Sequence, residues 1–153
     1  MWYLYKIPDI ENKTTDSRVN KRIFVVQKHQ ARNLHYDFRI EVEGVLKSWA
    51  VPKGVPTDTD TQRLAIMVED HDYEYKDFEG EIKEGYGKGT VEIWDKGWYE
   101  EYDVKKPIVA GLQKGRFKIR LYGEKLNGIY TLSKMKDNNW LISKNIPEEI
   151  RQI

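Results

Sequence analysis

Residues 23–51 read IFVVQKH-QARN-LHYDFRIEV-EG-VLKSWAV, and this stretch decides the fold. Residues two apart on a strand share a face. Leu34–Val42 alternates on that period, with Leu34, Tyr36, Phe38 and Ile40 on one face and His35, Asp37, Arg39 and Glu41 on the other. Ile23–His29 alternates in the same way, Gln30–Asn33 is a polar break, and Glu43-Gly44 reads as a tight turn into Val45–Val51. Pro52 and Gly54 end that run. Arg63–Glu69 and Thr90–Trp94 read as further strands, with Asp95-Lys96-Gly97 as a hairpin turn. Arg116–Tyr122, Gly128–Ser133 and Trp140–Lys144 complete the set, the second entered through Asn127-Gly128. One short helix is expected near Val109–Lys114. The fold class is therefore mainly β: a small single-domain β-barrel or strongly curved antiparallel sheet with one or two short helices.

Composition sets the outer limits. A chain of 153 residues fits one domain, taken here as 1–153, and can bury a core without staples. Cysteine is absent, which excludes disulfides, thiolate zinc sites and a cysteine nucleophile, and suits a cytoplasmic location. The opening MWYLYKIPDI lacks the basic-then-apolar order of a secretory signal. No run approaches the ~20 apolar residues that span a bilayer, so no membrane partner is expected. Net charge is +1, although a third of the residues are charged. Extensive wrapping of duplex DNA calls for a basic excess; a balanced chain favours contact with an end or a few nucleotides. A basic track from Lys114 to Lys125 suits a strand of nucleic acid, and a solvated face accounts for it equally well.

Strand geometry gathers the chemistry. If Ile23–His29 and Leu34–Val42 pair as a hairpin across the four-residue break, His29 returns beside His35, with Asp37 next on the same face. Two imidazoles and a carboxylate suit a borderline divalent ion such as manganese, zinc or cobalt. Arg39, one step further along, would lie beside whatever that ion holds, with a planar guanidinium fitted to grip phosphate oxygens bidentately. The third histidine, His71, follows Arg63–Glu69, with Tyr75 four residues later. Solvation of a polar strand face explains any one of these histidines. It explains His29, His35 and Asp37 together far less well.

FVVQKHQARNLHYDFRIEVEGVLKSWAVPKGVP closely resembles the signature of the 3′-phosphoesterase module of bacterial DNA ligase D and its stand-alone archaeal relatives. The resemblance continues through RLAIMVEDHDYEYKDFEGEI and GYGKGTVEIWDKG, and more loosely through the Leu-Tyr-Gly and Trp-Leu-Ile-Ser-Lys segments. It implies a compact β-barrel-like fold and a metal-dependent hydrolase of DNA repair and end joining. Such enzymes remove a 3′-terminal ribonucleoside from a primer strand, then hydrolyse the resulting 3′-phosphate to a 3′-hydroxyl. The matching positions imply His29, His35 and Asp37 as manganese ligands, with Arg39 and His71 on the reacting phosphate. Lys53, Arg63, Gln27 and Tyr75 match positions used around the substrate or in its support. Without the resemblance, Lys53 and Arg63 would read as solvated side chains and Tyr75 as a core cap. Gln27 suits the orienting group that metal-bound histidines need. The expected substrates are primer–template 3′ ends carrying a terminal ribonucleotide or 3′-phosphate, and the expected protein partners are separate ligase and polymerase chains. Two departures stand out. Glu84-Gly85-Tyr86-Gly87 is one residue shorter than the family's loop, and residues 1–20 match poorly.

Two other classes compete. A non-catalytic nucleic-acid-end binding β-barrel would use the five Trp and ten Tyr as stacking platforms, but intact His29, His35, Asp37, Arg39 and His71 argue against a relative that has lost turnover. A small-barrel metal oxygenase also uses histidine-rich strands, and would leave Arg39 and Lys53 without a phosphate.

Overall fold

The computed structural model describes residues 22–147; the N-terminal segment 1–20 singled out above lies outside them. The elements in chain order are β1 (Arg22–Gln30), β2 (Leu34–Val42), β3 (Val45–Val51), β4 (Gln62–Asp72), a 3₁₀ turn (Tyr73–Asp77), β5 (Gly80–Ile82), β6 (Gly89–Glu101), α1 (Ile108–Lys114), β7 (Arg116–Tyr122), β8 (Asn127–Lys136) and β9 (Asn139–Lys144). The strands follow one another in space as β1-β2-β3-β4-β9-β8-β7-β6-β5. A β1–β6 pairing closes eight of them into an antiparallel barrel, and β5 is appended to β6. Closure leaves no open edge among the eight. The expected mainly β barrel with one short helix is what forms.

The alternation read from residues 34–42 becomes the wall of this barrel. Phe38 and Ile40 of β2 point inward and are fully buried, with Phe24 and Val26 of β1 and Trp49 of β3. Trp49 meets Trp140 edge-on, with ring centroids 5.5 Å apart at 79°, and so ties β3 to β9 across the core. Glu43 and Gly44 take φ of 50° and 86°, the left-handed pair that a two-residue hairpin turn requires. That turn fixes the register of β2 on β3, in which Asp37 faces Ala50 and Arg39 faces Ser48. The first hairpin also forms as expected, and His29 sits directly opposite His35.

One expectation is corrected. Asp95-Lys96-Gly97 does not turn the chain; β6 runs straight through it, pairing Asp95 with Val26 and Gly97 with Phe24. These turn-forming residue types are needed for other reasons. A Cβ on Gly97 would lie 1.9 Å from the Tyr122 carbonyl oxygen, so only glycine lets β7 approach. The Asp95 carboxylate is 4% exposed and accepts the backbone N–H groups of Glu124, Lys125 and Leu126 at 2.9, 3.1 and 2.8 Å. It thereby holds the β7–β8 turn. Asp95→Ala orphans all three donors, and we expect unfolding free energy to fall by about 3–5 kcal/mol. Urea denaturation checks this, and a loss below about 1 kcal/mol would rule the clasp out. The three-residue strand β5 was not foreseen, because Gly80-Glu81-Ile82 is too short to show a period.

Candidate metal and phosphate site

The polar faces of β1 and β2 lie on the outside of the barrel, and the site is built there. Arg39 is only 3% exposed, Asp37 6% and Gln27 fully buried, although all three leave the core face of their strands. The end of β4 and the 3₁₀ turn cover them: His71 and Tyr75 ring centroids lie 4.7 Å apart, and Arg39 lies 4.9 Å from the Tyr75 ring centre. A polar strand face roofed by an aromatic turn is what converts a solvated surface into a low-dielectric site.

Asp37 is the centre. Its carboxylate oxygens lie 3.5 Å from His29 Nδ1, 3.2 Å from His35 Nε2 and 3.3 Å from Arg39 Nη2. The other ring nitrogen of each histidine is already committed: His29 Nε2 lies 2.8 Å from the Gly87 carbonyl and His35 Nδ1 3.1 Å from the Asn33 carbonyl. Carbonyls only accept, so those nitrogens carry protons, and the Asp37-facing nitrogens, His29 Nδ1 and His35 Nε2, are lone pairs in the neutral rings and donate to Asp37 when a ring is protonated. One ligand atom from each of His29, His35 and Asp37 falls within 4.8 Å of the others. A carboxylate with two imidazole lone pairs, each ring pinned from behind by a carbonyl, is the arrangement a divalent metal centre needs. The donor set could hold a divalent metal ion. Burial alone would raise the Asp37 carboxyl, but the His35 hydrogen bond and the Arg39 charge outweigh it and hold the group below its usual range. His35 is raised, chiefly by its hydrogen bond to Asp37 against the effect of burial.

Arg39 forms the second half of the site. Its Nε donates to Gln27 Oε1 at 2.6 Å, and its Nη1 donates to Ser48 Oγ at 2.8 Å and to His71 Nδ1 at 3.1 Å. Nη2 lies 3.3 Å from an Asp37 oxygen as an ion pair and has no hydrogen bond among the described residues, so its N–H groups are the donors left beside the metal ligands. His71 Nδ1 lies between the Arg39 Nη1 donor at 3.1 Å and the Glu69 carbonyl at 3.3 Å; the shorter contact, from a group that can only donate, makes Nδ1 the acceptor and leaves the ring proton on Nε2. Burial first, and then the Arg39 charge, lowers the His71 pKa, so the ring is neutral at pH 7 with one outward donor.

The remaining expected residues divide. Gln27 does orient a functional group, but that group is Arg39 and not a histidine; its Nε2 donates to the Tyr75 and Phe78 carbonyls at 2.8 and 3.2 Å. Tyr75 packs under Arg39 as described. Lys53 and Arg63 are joined to one another: Arg63 Nη1 donates to the carbonyls of Lys53 and Gly54, bracing the turn after β3. Among the described residues no hydrogen bond or ion pair links either to the His29–Asp37 cluster. The short 84–87 loop acquires a role, since its Gly87 carbonyl orients His29. Ser48 was missed; its place two residues after Leu46, on the face opposite Trp49, was the available signal. Arg116, Lys118 and Arg120 of the basic track alternate with the buried Phe117, Ile119 and Leu121 on β7. Among the described residues no helix is long and apolar enough to cross a membrane.

Comparison with known proteins agrees with this geometry. Residues 27–134 match the family described as DNA Ligase D 3′-phosphoesterase domain. The multifunctional non-homologous end joining protein LigD of Pseudomonas aeruginosa is 46% identical over 135 residues, which is 85% of this chain and 16% of that protein. Its namesake in Mycolicibacterium smegmatis is 43% identical over 140 residues, 89% of this chain and 18% of the relative. The LigD of Mycobacterium tuberculosis strain H37Rv is 46% identical over 119 residues, 77% of this chain and 15% of the relative. The chain thus spans less than a fifth of the length of these relatives.

Proposed function

Since the chain belongs to the DNA ligase D 3′-phosphoesterase domain family, we propose that it is a divalent-metal-dependent hydrolase that heals DNA 3′ ends, acting in the cytoplasm as one domain over 1–153. It removes a 3′-terminal ribonucleoside as a phosphodiesterase, then the exposed 3′-phosphate as a phosphomonoesterase, leaving a 3′-hydroxyl for repair or end joining. The observation that carries this is the convergence of His29, His35 and Asp37 beside the braced Arg39–His71 pair. His29, His35 and Asp37 would hold the ion, with Mn²⁺ preferred and Zn²⁺ or Co²⁺ as substitutes. When bound there, it would supply Lewis-acid charge.

The chain's own residues do the rest. Phosphoryl transfer depends mainly on positioning and on charge stabilisation. Arg39 presents its Nη2 donors to the equatorial oxygens, held in place by Gln27, Ser48 and Asp37, so little reorganisation is needed during reaction. His71 Nε2–H faces the same phosphate, where it stabilises charge or gives its proton to the leaving oxygen. Tyr75 supports Arg39 through its ring. Tyr75→Phe keeps that ring, and we expect it to cost less than about tenfold in kcat/KM; a loss beyond about a hundredfold would give the hydroxyl a direct role. Lys53, with Arg63 fixing its turn, lines the approach of the strand. Separate ligase and polymerase chains are the natural partners for the product end.

The test is incubation with Mn²⁺ and a labelled primer–template whose primer ends in one ribonucleotide, with His35→Ala alongside. Stepwise conversion to 3′-phosphate and 3′-hydroxyl, lost in the variant and with chelator, is the expected outcome. End binding without cleavage under any divalent ion would favour a non-catalytic binder instead.

A further inference from the structure

Beyond the Arg39–His71 pair the surface is built differently. His71, Asp72, Glu74, Tyr75, Asp77 and Phe78 line an open cavity of about 430 Å³, within the ~300–1,000 Å³ span of small-ligand sites. His71 and Tyr75 are also the partners of Arg39, so the cavity opens directly onto the position offered to phosphate. Its wall is aromatic: the Tyr75 and Phe78 rings stack face to face at 5.0 Å and 17°, and Arg39 lies over Tyr75, so Phe78 carries the outer ring. Gln27 pins that wall by donating to the carbonyls of both residues, so one side chain fixes the wall and the arginine together. The rim is acidic. Asp77 is engaged by Lys76 at 2.8 Å and Lys96 at 3.9 Å, whereas among the described residues neither Asp72 nor Glu74 has an ion-pair partner.

Each feature selects chemistry. The outer face of Phe78 takes any nucleobase by stacking. Carboxylates accept hydrogen bonds from sugar hydroxyls and repel phosphate. A continuing strand would have to carry a phosphate past Asp72 and Glu74, while a terminal nucleoside is neutral. We infer that this cavity is the subsite for the departing 3′-terminal nucleoside, and that Asp72 and Glu74 confine cleavage to the last nucleoside by excluding a phosphate beyond it. This rests on the phosphoesterase reading and adds the origin of its end selectivity. A 3′-phosphate substrate carries no nucleoside past the phosphorus and leaves the cavity unused, so the second reaction is an internal reference for the first.

The experiment uses the full chain with Mn²⁺ and three primer–templates. The first primer ends in one ribonucleoside, the second in a 3′-phosphate, and the third extends one deoxynucleotide past the ribonucleoside. Phe78→Ala should lower kcat/KM for nucleoside removal relative to phosphate hydrolysis about tenfold, and Phe78→Tyr should restore the ratio. Asp72→Asn combined with Glu74→Gln should raise dinucleotide release from the third primer about tenfold. An unchanged ratio in Phe78→Ala would overturn the subsite, and unchanged dinucleotide release would overturn the charge filter. Absence of both reactions in the unmodified chain would instead remove the phosphoesterase reading, and this inference with it.

Discussion

Replacing Asp37 by alanine is expected to abolish both the diesterase and the monoesterase reaction, lowering kcat/KM by more than about a thousandfold. Three contacts make this the most sensitive position. Among the described residues the carboxylate is the one charged ligand beside His29 and His35, and it also neutralises Arg39. Without it the two imidazoles offer a weak site for a borderline divalent ion, and a cation that is 3% exposed is left buried without its anion. Breaking a buried pair costs about 3–5 kcal/mol of stability, so lost activity has to be separated from lost fold. Asp37→Asn does that: it keeps the volume and removes the charge. We expect Asp37→Asn to keep a cooperative thermal transition while Mn²⁺ binding by calorimetry and turnover both collapse. Metal-dependent turnover within about tenfold of the unmodified chain in either variant would take the metal assignment away from this cluster.

How much of this site was legible follows from strand geometry. The period of two places His35, Asp37 and Arg39 on one face whatever the rest of the chain does, and a four-residue break returns His29 to His35. Those are local facts. What residues 23–51 could not reveal is the roof. Nothing in the period of β4 says that its end bends into a 3₁₀ turn that lays Tyr75 over Arg39, because that depends on Gln27 capturing the carbonyls of Tyr75 and Phe78, about fifty positions away. Asp95 failed for the related reason that Asp-Lys-Gly has the same composition whether it reverses the chain or caps another turn. Local residue preference is a weak guide where a tertiary contact decides. Lys53 and Arg63 show the converse. Their positions were identified by resemblance, yet the structure gives Arg63 a bracing role that no spacing implied.

Arg39→Lys is the second large effect, expected to cut kcat by about a hundredfold to a thousandfold for both reactions while leaving Mn²⁺ affinity within about tenfold. A lysine keeps the charge but has a single nitrogen with three donors. It cannot reach Gln27 Oε1, Ser48 Oγ, His71 Nδ1 and Asp37 at once, as the guanidinium does. Three consequences follow in order. Gln27 loses its fixed acceptor role, so the Tyr75–Phe78 wall it pins is held less firmly. His71 loses the donor that keeps its proton on Nε2. The phosphate loses the preset Nη2 donors. Charge alone would be preserved, so a lysine variant that stayed within about tenfold of the native kcat would mean that Arg39 acts only as a diffuse cation and that its four partners are structural. A metal affinity that fell in step with kcat would point to a different fault, collapse of Asp37 when its guanidinium is removed. The measured split between kcat and Mn²⁺ binding therefore distinguishes a positioned transition-state donor from a brace for the metal ligands.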